Sequence, residues 1–166
     1  MSAYRKSYYL RHPRNAWREF VYWPVRNRRQ LASRGWADSD VWGLDHTLCR
    51  RLGAQLLHLA DIAHGWPGND EFPMYEDWID ALRVNGQALL DYALRPGQTE
   101  LTTKWHDLKF GTGTGARSDW MAKINSEDDE PTAAAWLELR ALEERLDIGG
   151  QQALHWVADH LGHLWD

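Results

Sequence analysis

Apolar residues recur at intervals of three and four along much of the chain, and this spacing places side chains on one face of an α-helix. The clearest case starts at Asp38 or Ser39, either of which can cap a helix, and stops at Gly65 and Pro67. The pattern predicts one helix of roughly 25 residues. Its predicted buried row is Val41, Leu44, Leu48, Leu52, Leu56, Leu59 and Ala63.

A shorter helical region is predicted before this one. Asn15 can cap a helix that starts at Ala16. Pro24 either ends or kinks that helix, or it occupies the first turn of a second helix running to about Ser33. Gly35 then suits the position that ends a helix.

Three further helices are predicted towards the C-terminus. One runs over about 75–94 and is closed by Arg-Pro-Gly at 95–97. Its inward residues are predicted to be Trp78, Ile79, Leu82, Leu89 and Leu90. Two more helices, over roughly 131–146 and 148–164, are separated near Gly149 and Gly150.

Between them, residues 97–130 form a predicted surface insertion. The segment LTTKWHDLKF fits a short helix or an extended piece, GTGTGA is a turn, and SEDDEP is a solvated loop. Strand patterns are nearly absent. We therefore predict an all-α, single-domain bundle of five to seven helices over 15–166, preceded by a basic, aromatic arm at 1–14.

Asp45 interrupts the predicted buried row. A carboxylate at that position must be neutral or must have a partner, because an unpaired buried charge is strongly unfavourable. We predict a structural ion pair between Asp45 and an arginine of the preceding segment, chosen from Arg26, Arg28, Arg29 and Arg34. The alternative is a catalytic or ligand-binding acid, since carboxylates with perturbed pKa values cluster at functional sites.

Charge divides the chain unevenly. Residues 1–35 carry nine basic residues and one acidic residue, whereas the remainder carries ten basic and 23 acidic residues. The basic segment either binds nucleic acid or lies against its own acidic body. The single cysteine excludes an internal disulfide, no apolar run is long enough for a membrane span, and the first residues lack a signal-peptide core. We expect a cytoplasmic protein.

The run from Arg34 to Asp45, RGWADSDVWGLD, carries a resemblance. Together with the later HGWP and YEDWIDAL, it resembles a family of small uncharacterised all-helical proteins encoded by bacteriophages and prophages, with the segment R-G-[WF]-x-D-x-D-x-W-x-x-D. The resemblance covers about residues 13–95 and the last helix. It implies a viral origin and the cytoplasm of a bacterial host, and it supplies no catalytic residues.

Histidines provide the best argument for an enzyme. His155, Asp159 and His163 follow each other at four-residue steps and could hold a divalent metal, although an exposed polar face is the favoured interpretation. His58, Asp61 and His64 are a weaker set. Cys49 is expected to be a core residue, and GTGTGA lacks the features of a phosphate loop. LEERLD, at 142–147, is interpreted as a solvated helix face. No cofactor is predicted.

Binding is the function class that the sequence favours. Arginines alternate with aromatic residues near the N-terminus, and such residues make hot spots in protein interfaces. We expect a host protein as the partner, with nucleic acid as the alternative because arginine contacts phosphate and aromatic rings stack on bases. A metal-dependent enzyme is the second alternative. The predicted binding residues are Tyr8, Tyr9, Arg11, Arg14, Trp17, Arg18 and Trp23.

Overall fold

The computed structural model describes residues 12–111, 117–124 and 126–164, and for residues 117–120 it describes the backbone alone. All regular secondary structure in these ranges is helical, so the predicted all-α class is confirmed. The chain divides into two units, residues 1–47 and residues 48–166. None of the helices in the described ranges combines the length and the hydrophobicity needed to cross a bilayer.

The first unit is built on a continuous helical stretch. Helix α1 (Pro13–Trp17) leads without a break into a π-helical turn (Arg18–Tyr22) and then into α2 (Trp23–Arg34). The backbone N–H of Trp23 donates to the carbonyl of Arg18, five residues back. This wider turn accommodates Pro24, which lacks an N–H and would break an ordinary α-helix.

Both ends of this stretch follow known helix rules. The helix begins at Pro13 and not at Ala16 as predicted, because proline is well tolerated at the first helical position. The prediction for Gly35 is confirmed. Gly35 ends α2 in the left-handed conformation with φ 76°, and its N–H donates to the carbonyl of Leu31 at 2.9 Å.

The prediction of one uninterrupted helix after Asp38 is wrong. The segment forms a short α3 (Asp38–Val41) and a separate α4 (Leu44–Ile62). At Trp42 the backbone leaves the helical region, with φ −82° and ψ 31°. A new helical register then starts at Gly43, whose carbonyl accepts the N–H of Thr47 at 2.9 Å.

The second unit contains the larger helices. It begins inside α4, at Leu48. The elements that follow α4 are α5 (Tyr75–Leu94), α6 (Gln98–Phe110), α7 (Arg117–Ile124), α8 (Glu130–Asp159) and a 3₁₀ turn (Leu161–His163). The predicted bounds of α5 are confirmed. Helix α8 packs against both α5 and α6. The segment LTTKWHDLKF is helical, which is the first of its two predicted alternatives, and it packs along α8.

The prediction of two final helices is wrong, because α8 runs through Gly149 and Gly150 without a break. Gly150 is buried, and a Cβ on it would lie 2.6–2.7 Å from three atoms of the Tyr92 side chain. The glycine therefore serves close packing between α5 and α8. It does not end a helix.

The core of the second unit lies between α4, α5 and α8. Its buried residues include Cys49, Leu56, Ala60, Trp78, Ile79, Leu82, Leu89, Ala153 and Val157. Of the predicted row on α4, Leu44 and Leu48 are exposed, whereas Cys49 and Gly53 are buried. The reason is a close helix crossing, since a Cβ on Gly53 would lie 2.6 Å from the carbonyl oxygen of Gly86. Leu56 and Ala63 are buried as predicted, so the buried face of α4 departs from the predicted row mainly near Cys49 and Gly53.

Candidate binding surface

An ion-pair cluster around Asp38 fixes the structure of the first unit. Residues 26, 30 and 34 of α2 are spaced by four, so they lie on one face of the helix. Arg26 and the side-chain amide of Gln30 each donate to the carboxylate of Asp38 at 2.7 Å, and Arg34 donates to its other oxygen. The N–H of Asp38 donates in turn to Gln30 Oε1 at 2.9 Å. These contacts hold α3 against α2.

The same contacts favour the ionised form of Asp38. The hydrogen bond from Gln30, followed by the hydrogen bond and the charge of Arg34, lowers the pKa of this carboxyl below its ordinary value. Arg34 also lies 3.7 Å from the ring centroid of Trp36, and its Nε donates to the carbonyl of that residue at 3.1 Å. Arg34 thus contacts the carboxylate of Asp38 and both the ring and the carbonyl of Trp36.

The placement predicted for Asp45 is wrong. Its side chain is 57% exposed, and Leu44 and Leu48 are exposed as well, so the described residues leave the first turns of α4 uncovered. The ion pair of Arg34 is with Asp38. Arg28 and Arg29 are exposed and make no ion pair with a residue that the structure describes. The i,i+4 spacing of Arg34 and Asp38 was the signal available in the sequence for the actual pair.

The neighbouring face of the helical stretch carries an apolar row. None of the residues of α1, the π-helical turn or α2 is buried. Trp17, Val21 and Val25 are spaced by four, and they are 57%, 45% and 45% exposed. They line an open groove of about 460 Å³ together with Tyr22, Arg26, Arg29 and Gln30. We call this surface the N-terminal groove.

The aromatic residues of this region are in contact with one another. The rings of Trp17 and Tyr22 stack at 5.7 Å with an angle of 29°, and Tyr22 meets Trp23 edge-on at the same distance. Arg26 lies 5.2 Å from the ring centroid of Trp23. Trp23, predicted as a binding residue, is therefore half-buried among these side chains and is not a free anchor.

A second concave surface shares Trp17 with the N-terminal groove. Arg14 and Arg18 line this second surface with Pro13 and Trp17, and both are exposed. Neither makes an ion pair within the described part of the chain. The structure thus brings together four of the predicted binding residues, counting Trp17 and Trp23 with these two arginines. Tyr8, Tyr9 and Arg11 lie outside the described residues.

The predicted metal ligands do not form a site. His155 and Asp159 are exposed on α8, which ends at Asp159, so His163 in the following 3₁₀ turn does not continue the four-residue repeat. Asp61 faces Arg83 at 3.6 Å. Across residues 12–111, 117–124 and 126–164, no group of three histidine, cysteine, aspartate or glutamate residues is placed to hold a metal ion.

The remaining candidates have structural roles. Cys49 is completely buried in the core, as expected. In LEERLD, Glu143 accepts a hydrogen bond from Gln98 at 2.8 Å, and Asp147 pairs with Arg95 at 2.6 Å. These acids fasten α8 to the start of α6 and to the end of α5. Most of GTGTGA, residues 112–116, lies outside the described residues.

Sequence reasoning missed a buried histidine. His160 is 8% exposed and lies among Phe72, Trp78 and Trp156, stacking on Trp156 at 4.6 Å. Its Nδ1 is 2.7 Å from the carbonyl oxygen of Trp156, and its Nε2 is 3.1 Å from a carboxylate oxygen of Glu71. The contact fastens the loop before α5 to the end of α8. No local motif announces it, because residues 71 and 160 are far apart in sequence.

Comparisons with known proteins add no assignment. No protein-family profile, no curated protein and no solved structure matches the chain. The resemblance to a bacteriophage family therefore stays a prediction.

Proposed function

We propose that this chain is an accessory protein of the bacteriophage type, which acts in the cytoplasm of the host by binding a host protein through the N-terminal groove. Inhibition of a host or defence factor is one role that such binding would serve. The single observation that supports the proposal most is the exposed row of Trp17, Val21 and Val25. Three large apolar side chains in line on one helix are typical of residues that a partner covers.

The polar contacts of the first unit support the same function. The Asp38 cluster fixes α3 on the face of α2 that carries Arg26, Gln30 and Arg34. The apolar row stays exposed beside this cluster. A helix held in shape before binding loses little conformational entropy when the partner arrives, and this favours affinity.

Capture from a bacterial lysate tests the proposal. Nuclease-treated lysate is passed over the immobilised full chain, and bound proteins are identified by mass spectrometry. We expect one host protein to be enriched by the wild type and lost with Trp17→Ala. The control is Val84→Asp, which alters a 67% exposed apolar residue on α5, and it should retain that protein. Enrichment that is equal for all three chains would contradict the proposal.

Nucleic acid binding is the second candidate function. It is favoured by the exposed arginines at 14, 18, 28 and 29, since arginine-rich helices contact phosphates. It predicts that a DNA or RNA duplex binds the full chain with an affinity that falls steeply with salt. Neutralising Arg14 and Arg18 should then weaken binding to all sequences by a similar factor.

A further inference from the structure

We infer that the partner of the N-terminal groove is a protein with an apolar cleft whose rim carries carboxylates, and that it receives the helical stretch as an amphipathic helix. This inference rests on the proposed function, and it adds the chemistry of the partner. Two properties of the surface support it, namely the order of apolar residues along the helix and the arginines beside them.

The apolar residues supply the anchors for a cleft. Helices that dock into grooves use large apolar side chains spaced by three or four residues. Trp17, Val21 and Val25 have this spacing through the π-helical turn, and all three line the same groove. The row is narrow, because Arg26, Arg29 and Gln30 line the groove with it. A narrow row fits a cleft between two walls better than it fits the broad apolar layer of a membrane surface.

The arginines determine the charge of the partner. Arg14 and Arg18 lie beside Trp17, and Arg29 lies beside the valines. These three arginines have no carboxylate partner among the residues that the structure describes, in contrast to Arg26 and Arg34. Complementary potentials across an interface steer the encounter and fix the orientation of the partners. Carboxylates on the rim of the cleft would supply that complement.

The centre of the groove argues against nucleic acid as the occupant. Bases stack on aromatic faces, and the rings of Trp17 and Tyr22 stack on each other at 5.7 Å, which covers one face of each ring. Val21 and Val25 cannot stack on a base and offer no donor to a phosphate. Aliphatic side chains flanked by arginines are complementary to a partner's cleft that is apolar at its base and carries carboxylates at its rim.

Calcium-loaded calmodulin is a suitable probe, because it presents apolar clefts with acidic rims that close when calcium is removed. Binding of the full chain is measured by calorimetry with calcium and with a chelator. We expect binding only with calcium. Trp17→Ala should weaken it about tenfold or more, as for a central anchor. Val25→Ala should weaken it as well, whereas the matched control Leu31→Ala, at a 41% exposed position of α2 outside the groove, should not.

The charge requirement is tested separately. Arg18→Gln combined with Arg29→Gln should slow association and reduce the salt dependence of binding, because charges at the rim act mainly on the association rate. Circular dichroism checks that each variant keeps its helical content. Binding of the full chain to a duplex DNA and to vesicles containing phosphatidylglycerol is measured in parallel. Sedimentation of the chain alone measures its self-association.

Several results would overturn the inference. These are an absence of binding to calcium-loaded calmodulin, binding that persists with the chelator, and equal binding by Trp17→Ala and Leu31→Ala. Tighter binding to DNA or to vesicles than to calmodulin would also overturn it, because the groove would then bind nucleic acid or lipid. Self-association that depends on Trp17 would mean that the groove binds a second copy of the chain. If lysate capture finds a Trp17-dependent partner with a basic contact surface, the proposed function stands and this inference fails. If calmodulin binds and no host protein is captured, the inference about an apolar, acidic-rimmed partner is supported and the proposed function fails.

Discussion

Two adjacent glycines in α8 should respond in opposite directions to the same substitution. A Cβ on Gly149 would meet nothing within 4 Å, whereas a Cβ on Gly150 would lie 2.6, 2.6 and 2.7 Å from Cγ, Cδ2 and Cβ of Tyr92. Both residues lie inside a helix of 30 residues. Alanine is favoured over glycine in a helix interior by about 1 kcal/mol, and this gain is the same at both positions.

The difference between the variants therefore comes from packing. Carbon atoms in contact are normally about 3.5–4.0 Å apart, so alanine at 150 would be about 1 Å too close to Tyr92. Rotation of the ring does not move the Tyr92 Cβ atom, so α5 and α8 must separate. Such overpacking costs about 3 kcal/mol, at the upper end of the usual range. Net of the helix gain, Gly150→Ala should destabilise by about 2 kcal/mol and Gly149→Ala should stabilise by about 1 kcal/mol.

Thermal unfolding followed by circular dichroism measures both effects. For a chain of this size about 1 kcal/mol corresponds to roughly 2–4 °C, so Gly149→Ala should raise the Tm by that amount and Gly150→Ala should lower it by about twice as much. Each variant serves as the control for the other, because the substitution and the helix are identical. Shifts in the same direction, or a Gly150→Ala protein as stable as the wild type, would refute the packing argument.

Three further predictions concern the other contacts. Because its contacts lower the pKa of Asp38 from the ordinary 3.8, the ionised group stabilises the first unit at neutral pH and loses this effect as the pH falls through the lowered value. The indole NMR signal of Trp36 should therefore shift with acid in the wild type and much less in Asp38→Asn. Net of the helix gain, Gly53→Ala should cost about 2 kcal/mol in urea unfolding and more than Gly86→Ala, because the first meets a backbone oxygen at 2.6 Å and the second meets one at 3.0 Å. His160→Ala should cost roughly 2–4 kcal/mol through lost ring packing, whereas Glu71→Gln, at an exposed carboxylate, should cost less than about 1 kcal/mol in the same assay.

The sequence was informative where local rules decide the structure. Periodicity predicted the bounds of α5, and the preference of glycine for the end of a helix predicted that α2 ends at Gly35. The burial of Cys49 was expected because free cysteine is among the most buried residue types. In α5 the apolar row and the closing Arg-Pro-Gly at 95–97 both indicate the same helix. Agreement between independent local signals is what made this prediction secure.

The errors arose where a distant contact decides the structure. Gly149 and Gly150 suggest a helix end from composition alone, but Tyr92 requires the small residue at the second position. On α4 the predicted Leu56 and Ala63 are buried, but Gly53 is buried as well because it meets Gly86 on another helix. Glycine has two unrelated uses, conformational freedom and close approach, and a single sequence does not distinguish them.

The candidate site shows the same division between local and distant contacts. The sequence predicted an ion pair between Asp45 and one of Arg26, Arg28, Arg29 and Arg34, whereas Arg26 and Arg34 pair with Asp38. Asp45 is exposed at the start of α4 together with Leu44 and Leu48, so it needs no partner of the predicted kind.

This correction changes what the arginines mean for function. Arg26 and Arg34 are committed to Asp38, while Arg14, Arg18 and Arg29 remain beside an exposed apolar row. If folding of the first unit required every arginine, neutralising any of them would unfold it and binding could not be tested separately. Because the structure separates the two sets, Arg18→Gln and Arg29→Gln should leave the helical content unchanged. A loss of helicity in these variants would mean that the cations belong to the fold, and the case for an acidic partner would lose its basis.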